Sequence, residues 1–329
     1  MAGVSTATVS RALSRPETVA EGTRLAVIEA ARKAGYRINV AARNLRRRET
    51  GAIVVLVPNL GNPFFSKILA GIEATLAMAG LSVLIVDTGQ TEIRHDLLFS
   101  YLHNSRADGI LCLDGSLPGR ILEANRTAGT QPPIIFACEW DAEGDFPSVR
   151  IDNFAGARLA VRHLAELGHR RIGHIMGPKA NVLTHARRDG MLHEMRELGL
   201  EVRPQWLFDG DFSMDSGAAA AAKWLAMNER PTALFCASDE MAFGLISELH
   251  HHGVYVPRDV SVVGFDDIDI ARRFVPSLTT VRQPRALLGR KAADLLLQCI
   301  RAEDGAAAPG EEILAVELVK RESTAPKPV

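Results

Sequence analysis

The sequence predicts an α/β protein: a two-lobed core of parallel sheets behind a small all-α head. Three observations carry that prediction. From residue 52 onward, short continuous apolar runs alternate with helical stretches, the pattern of parallel strands covered on both faces. The alternation runs through two successive units of similar length, so two lobes with a cleft between them are expected. Charge changes sign at the same border: residues 1–50 hold ten Lys/Arg and four Asp/Glu, a net of +6, whereas residues 51–329 hold 28 and 35, a net of −7. A basic head on an acidic body points to nucleic acid as the head's partner.

The head opens with a short helix. Ser5 is a natural N-cap, and Val9 and Leu13, four apart with Ala12 beside them, make one apolar stripe. Thr6, Ala7, Ser10 and Arg11 then point elsewhere. Small polar groups, a methyl and an Arg suit a major groove: Arg pairs bidentately with guanine, and a methyl meets the thymine methyl. A second helix is expected from Glu21 to Ala34, with Leu25, Ile28 and Ala31 on one face and Gly35 as its stop. The Ala/Arg-rich stretch 39–48 has only Val40 and Leu45 as larger apolar groups and is too poor in buried surface to be a helix alone. It reads as a basic linker, or as a hinge that becomes helical on DNA. In the hinge reading its Arg residues neutralise phosphates and Leu45 wedges the minor groove.

In the core, strands are expected at 52–57, 82–87, 109–113 and 133–138, separated by helices 63–79, 92–105 and 118–128. After helix 153–167 the pattern repeats: strands 171–176, 206–209, 232–237 and 260–265, helices 184–198, 213–227 and 239–252. A crossing segment at 278–281, helix 284–302 and a final strand 312–319 complete it. The expected division is a head at 1–37, a hinge at 38–50, a first lobe of 51–152 plus about 281–311, and a second lobe of 153–280 plus about 312–324.

Ligands of open α/β sheets bind outside the carboxyl ends of the strands. Phe64 and Phe65 follow the first strand, Asp152 precedes helix 153–167, and His185 and Arg187 lie early in helix 184–198. Phe212, Ser238 and Asp266 each follow a strand of the second unit. Aromatic faces for stacking, with Asp, Arg and Ser for hydroxyls, suit a small polyhydroxy ligand. Enzymes are disfavoured: the chain lacks G-x-x-x-x-G-K-[ST], G-x-S-x-G, H-E-x-x-H and a G-x-G-x-x-G after its first strand. No cofactor and no metal are expected. Cys112, Cys138, Cys236 and Cys299 form no C-x-x-C pair and read as reduced core thiols. With no run of about 18 apolar residues and no basic start leading into an apolar segment, neither a membrane span nor a signal peptide is expected, and the cytoplasm is the expected compartment.

These residues resemble the LacI family of bacterial transcription regulators over essentially the whole chain. The carriers are Gly3-Val4-Ser5-Thr6-Ala7-Thr8-Val9-Ser10-Arg11, Gly35-Tyr36 followed by Ala42-Arg43-Asn44-Leu45-Arg46, Asn62-Pro63-Phe64-Phe65, Leu167-Gly168-His169-Arg170-Arg171-Ile172, Ser238-Asp239-Glu240-Met241-Ala242, and Val263-Gly264-Phe265-Asp266-Asp267 with Leu278-Thr279-Thr280-Val281. Phe146-Pro147-Ser148-Val149-Arg150-Ile151-Asp152-Asn153 and Gly210-Asp211-Phe212 are most similar to the cytidine-repressor branch. The resemblance implies a helix-turn-helix head, a hinge and a core like that of periplasmic sugar-binding proteins, assembled as a homodimer on a palindromic operator. It implies DNA contacts from Ser5, Thr6, Ala7, Ser10, Arg11, Asn39, Arg43, Leu45 and Arg46, with Thr6, Ala7 and Arg11 as base readers. It implies effector contacts, to a nucleoside or a sugar, from the cleft residues named above. The family has a further helix ahead of Ala2-Gly3, so a native start upstream, with a mass above 35.7 kDa, is expected. Ser238 stands where sugar-binding members often have Asn, which leaves the effector open. A cytoplasmic solute-binding protein without DNA binding is the alternative.

Overall fold

The computed structural model describes residues 2–14, 16–34, 50–89, 107–116, 133–142, 146–302 and 310–327. The expected helices at 92–105 and 118–128, the stop at Gly35, and the hinge with Asn39, Arg43, Leu45 and Arg46 lie outside them. The chain forms two compact units, Met1–Thr50 and Gly51–Val329.

In the first unit, α1 (Thr6–Ser14) is followed by a single 3-10 turn at Pro16–Thr18 and by α2 (Glu21–Lys33). The Ser5 hydroxyl accepts from the Thr8 amide at 3.2 Å, closing the first turn of α1 as an N-cap does. Ala12 is buried. The buried stripe of α2 differs from the expected one. Leu25 and Ile28 are 56% and 46% exposed, while Val27 is 1% exposed. Both stripes have helical spacing, and the partner helix, absent from a periodicity count, decides which turns inward.

The second unit holds two six-stranded sheets. The first contains β1 (Ala52–Val57), β2 (Ser82–Asp87), β3 (Gly109–Cys112), β4 (Ile134–Ala137), β5 (Ser148–Ile151) and β11 (Glu311–Leu314), in the order β11-β5-β4-β3-β1-β2, parallel throughout. The second contains β6 (Ile172–Ile175), β7 (Leu207–Phe208), β8 (Ala233–Cys236), β9 (Ser261–Asp266), β10 (Thr279–Arg282) and β12 (Glu317–Val319), in the order β12-β10-β9-β8-β6-β7. Only the pairing of β10 with β12 is antiparallel among these strands. Helices α3 (Phe64–Met78), α4 (Asn153–Glu166), α5 (Val182–Glu197), α6 (Met214–Leu225), α7 (Asp239–His251) and α8 (Arg285–Arg301) cover the sheets. Strands such as β1 and β9 are buried almost end to end, as sheets covered on both faces require.

Two expectations are corrected and one strand is added. Residues 148–151 form β5, where no strand is expected, and the segment near 278–281 is a full strand, β10. The single strand at 312–319 is two, because the chain leaves the first sheet after Leu314 and re-pairs in the second from Glu317. The first sheet therefore keeps the chain up to Leu314, a few residues past the expected border at 311, and β10 belongs wholly to the second sheet.

Candidate cleft between the two sheets

In a parallel sheet every strand ends on the same side, so the loops after β1, β3 and β4 and those after β6, β7, β8 and β9 converge. They enclose a cleft of about 680 Å³. On the first-sheet side it is walled by Asn59, Phe64, Phe65, Asp114, Ser116, Cys138 and Glu139. On the second-sheet side it is walled by Asn181, Leu183, Arg187, Asp211, Phe212, Ser238 and Asp266.

Phe64 and Phe65 open α3 and meet edge to face at 5.1 Å and 78°. Asn62 turns the chain into that helix by accepting from the Phe64 amide at 2.8 Å. On the opposite side, Phe212 lies against Gly177, where any Cβ would come within 2.2 Å of the ring. Ser238 caps α7, accepting from the Met241 amide at 3.2 Å.

Arg187 is fully buried. Its Nε donates to Asn153 Oδ1 at 2.9 Å, its Nη1 donates to the Ala237 carbonyl, and its guanidinium lies 3.8 Å from the centre of the Phe265 ring. Burial lowers its pKa, and the carboxylate of Asp266 opposes that fall. Burial pushes the Asp266 carboxyl up to about 7, against the charges of Arg187 and Arg285 and a 2.7 Å hydrogen bond from Gln283 Nε2. Burial likewise raises Glu139 to about 7, although Asn181 Nδ2 and the Gly115 amide donate to it at 2.9 and 2.7 Å. Asp239, behind Asp266, is fully buried and held by Thr280 Oγ1 at 2.5 Å and the Ile268 amide at 2.9 Å. Burial raises its pKa too, and Asp266 adds to the effect.

The backbone is strained where the wall is made. The non-glycine residues with positive φ among those described are Cys138 (71°), Phe212 (69°), Asp266 (124°) and Asp267 (51°). Three of the four line the cleft and the fourth adjoins it. Such conformations cost on the order of 1–3 kcal/mol each and cluster at ligand clamps.

Of the eight residues expected at the effector, the structure brings six to the cleft: Phe64, Phe65, Arg187, Phe212, Ser238 and Asp266. Asp152 is not among them. Its carboxylate accepts from the Ala155 amide at 2.8 Å as the N-cap of α4, and the neighbouring Asn153 makes the link to Arg187. His185 is exposed: Leu183 and Arg187, one turn apart, hold the cleft face of α5, and a residue midway between them points outward. Glu139, Asp114 and Asn181 were missed, although the carboxyl-end rule reaches all three. Arg285 had no sequence signal. It donates to the Phe64 carbonyl at 3.1 Å and the Asp267 carbonyl at 3.0 Å, tying the two walls together. Of the head residues, Ser5, Thr6, Ala7, Ser10 and Arg11 are exposed. Among the described residues no group of three His, Cys, Asp or Glu could hold a metal ion, and no helix is long and apolar enough to cross a membrane.

Residues 1–39 match the model of bacterial regulatory proteins of the lacI family, and residues 161–324 match a periplasmic binding protein-like domain. The HTH-type transcriptional repressor CytR of Escherichia coli (strain K12) is 40% identical over 324 residues, 98% of this chain and 94% of the relative. The chain belongs to the lacI family of bacterial regulatory proteins. The HTH-type transcriptional repressor PurR of Photobacterium profundum is 34% identical over 302 residues, covering 92% of this chain and 90% of its own. Among solved structures, the lac repressor dimer bound to operator and the anti-inducer ONPF superposes with a TM-score of 0.85 at 30% identity, over 98% of this chain and 96% of that one. The CelR–cellobiose complex gives 0.76 at 32% identity, over 98% and 97%. The protein is a transcriptional repressor of this family, with a DNA-binding head and an effector-binding core.

Proposed function

We propose that the cleft binds a small polyhydroxy effector, a nucleoside or a sugar, and that its occupancy sets the affinity of a homodimer for a palindromic operator in the cytoplasm. The observation that carries this reading is the convergence of Phe64, Phe65 and Phe212 with Asp266, Arg187 and Ser238 around about 680 Å³, a volume suited to one such molecule. The aromatic faces take an apolar face of a sugar or base, and the carboxylates and hydroxyl take its donors. The buried Arg187 makes the site rigid before the ligand arrives.

The mechanism is linkage. The effector binds one arrangement of the two walls better than the other, and operator affinity changes by that difference. Ser5, Thr6, Ala7, Ser10 and Arg11 meet the DNA from the first unit, and Asn39, Arg43, Leu45 and Arg46 from the hinge, with no catalytic step. Cellobiose in the complex of the structural relative and the 40% identity to CytR support a ligand-responsive regulator. The test is a thermal-shift screen with nucleosides and sugars, joined to gel retardation on DNA flanking the protein's own gene. A shift in melting by one class together with a change in retardation supports the reading. Effector binding with no DNA retention in any condition would instead mark a solute-binding protein.

A further inference from the structure

The cleft has an uneven charge. Of the described residues that line it, six are Asp or Glu and one, Arg187, is a cation. The N–H groups of Arg187 are committed to Asn153 and the Ala237 carbonyl and its face to Phe265, and its charge is set against that of Asp266. The carboxyl that differs from the rest is that of Glu139. It is 5% exposed yet lines the cavity, because the left-handed turn at Cys138 swings the chain inward directly after β4. Its fork is fixed from both walls. Oε2 accepts from the Gly115 amide at 2.7 Å, after β3, and Oε1 accepts from Asn181 Nδ2 at 2.9 Å, at the start of α5 in the second sheet's layer. Neither donor is charged. Each carboxylate oxygen carries two lone pairs, so one acceptor position per oxygen remains after these bonds.

We propose that Glu139 determines the specificity of the cleft, selecting uncharged or cationic effectors that offer N–H or O–H donors and excluding those that carry a phosphate. The inference rests on the effector reading above. Above about pH 7, where Glu139 is ionised, a carboxylate held by two neutral donors, beside Asp114 and with no cation bonded to it among the described residues, meets a phosphate as a like charge in a buried site, where the repulsion is weakly screened. A donor edge finds two oriented acceptors there instead. The N–H edge of a nucleobase and the hydroxyls of a pentose share this chemistry.

The test is isothermal titration of the full chain at about pH 8.5, where Glu139 is ionised, with cytidine, adenosine and ribose, and with the 5′-phosphate of each. The wild type is expected to bind at least one uncharged compound and to bind its phosphate roughly 100-fold more weakly, since like-charge juxtaposition discriminates strongly. Cytidine or adenosine binding without ribose identifies the base edge as the donor, and ribose binding identifies the hydroxyls. Glu139→Gln keeps the shape and removes the charge, and is expected to narrow the preference to roughly 10-fold or less. Asn181→Ala removes the bond between the walls and the N-cap of α5 but leaves the carboxylate, so it is expected to retain the preference against phosphate despite a lower melting temperature. If Asn181→Ala and Glu139→Gln lose the preference equally, Glu139 is a brace between the walls and the inference is overturned. Equal binding of phosphorylated and uncharged compounds by the wild type overturns it while leaving the effector reading intact. Binding of none of the six overturns both.

Discussion

The guanidinium of Arg187 lies 3.8 Å above the ring of Phe265, which fixes a cation one residue away from the buried carboxyl of Asp266. The stack is possible because Phe265 is the inward residue of β9 while Asp266, at φ 124°, turns toward the cleft. Arg187→Met would keep most of the apolar stem and remove the charge. It would leave Asn153 Oδ1 and the Ala237 carbonyl without this donor and Asp266 with only Arg285 of its two opposing charges. Breaking a buried charged network costs about 3–5 kcal/mol. The expected outcome is a fall in unfolding free energy of about 3 kcal/mol in a urea titration, with loss of effector binding. Wild-type unfolding in this variant would contradict the network.

Asp152 and Asn153 separate capping from binding. Asp152→Ala removes an N-cap and is expected to cost about 1 kcal/mol with effector affinity unchanged. Asn153→Ala removes the acceptor of Arg187 Nε and is expected to weaken both stability and affinity. Chemical unfolding and calorimetry on the pair decide it. A larger loss of affinity in Asp152→Ala than in Asn153→Ala would place the functional residue where the sequence first suggested it.

That pair also shows what the sequence carries and what it conceals. The continuous apolar run Ala52–Val57 locates a buried parallel strand to the residue, because it is short and rich in β-branched Ile and Val. The carboxyl-end rule then finds Phe65, Ser238 and Asp266 without coordinates. The rest depends on partners that are far away in sequence. Nothing local tells Asp152 from Asn153, because only the arrival of Arg187, 34 residues on, gives Asn153 its role. Nothing in Glu311–Val319 records a change of sheet between two short strands. The left-handed φ of Cys138, which carries Glu139 into the cleft, occurs at a residue type that does not announce it.

Burial gives Glu139 a pH signature. Its pKa is pushed from 4.5 up to about 7, so the folded chain holds the proton more tightly than the unfolded one. The associated stability is fully present below about pH 4.5 and is lost as pH rises through about 7. Gln does not ionise, so Glu139→Gln is expected to gain stability relative to the wild type from pH 5 to pH 8, by up to about 1.4 kcal/mol per pH unit. His174, pushed down to about 4 by burial, acts in the opposite sense and destabilises the fold as pH falls below 6.5. It is present in both proteins and cancels in the difference. Urea midpoints at the two pH values supply the measurement, and a difference that does not change with pH would refute the assignment.

Arg11 is exposed on α1 and, among the described residues, is held back by a long 3.4 Å bond from its Nε to the Ala7 carbonyl. It is therefore available to a base edge. Arg11→Ala is expected to cost about 1–3 kcal/mol on the preferred operator and much less on unrelated DNA, relaxing preference at one base pair. Binding titrations over single-base operator variants test this. Equal losses on every sequence would make Arg11 a phosphate contact instead.

The last prediction concerns how the walls are held. Helices α3 and α8 cross so closely that a Cβ at Gly289 would lie 2.1 Å from the Ile68 carbonyl oxygen, and one at Gly71 would lie 2.4 Å from that of Ala286. Both obstacles are backbone, so neither can swing aside as a side chain would. The crossing matters to the cleft because α3 begins with Phe64 and Phe65, and α8 begins with Arg285, which bonds to the Phe64 carbonyl on one wall and the Asp267 carbonyl on the other. Gly289→Ala must therefore push the helices apart and carry Arg285 with them. Overpacking of this kind costs about 1–3 kcal/mol, and a displacement of the two phenyl rings should weaken effector binding in the same variant. Differential scanning calorimetry with and without effector reads both effects. A variant that melts earlier yet gains the full ligand-induced shift would show that the crossing supports the fold but does not set the geometry of the cleft.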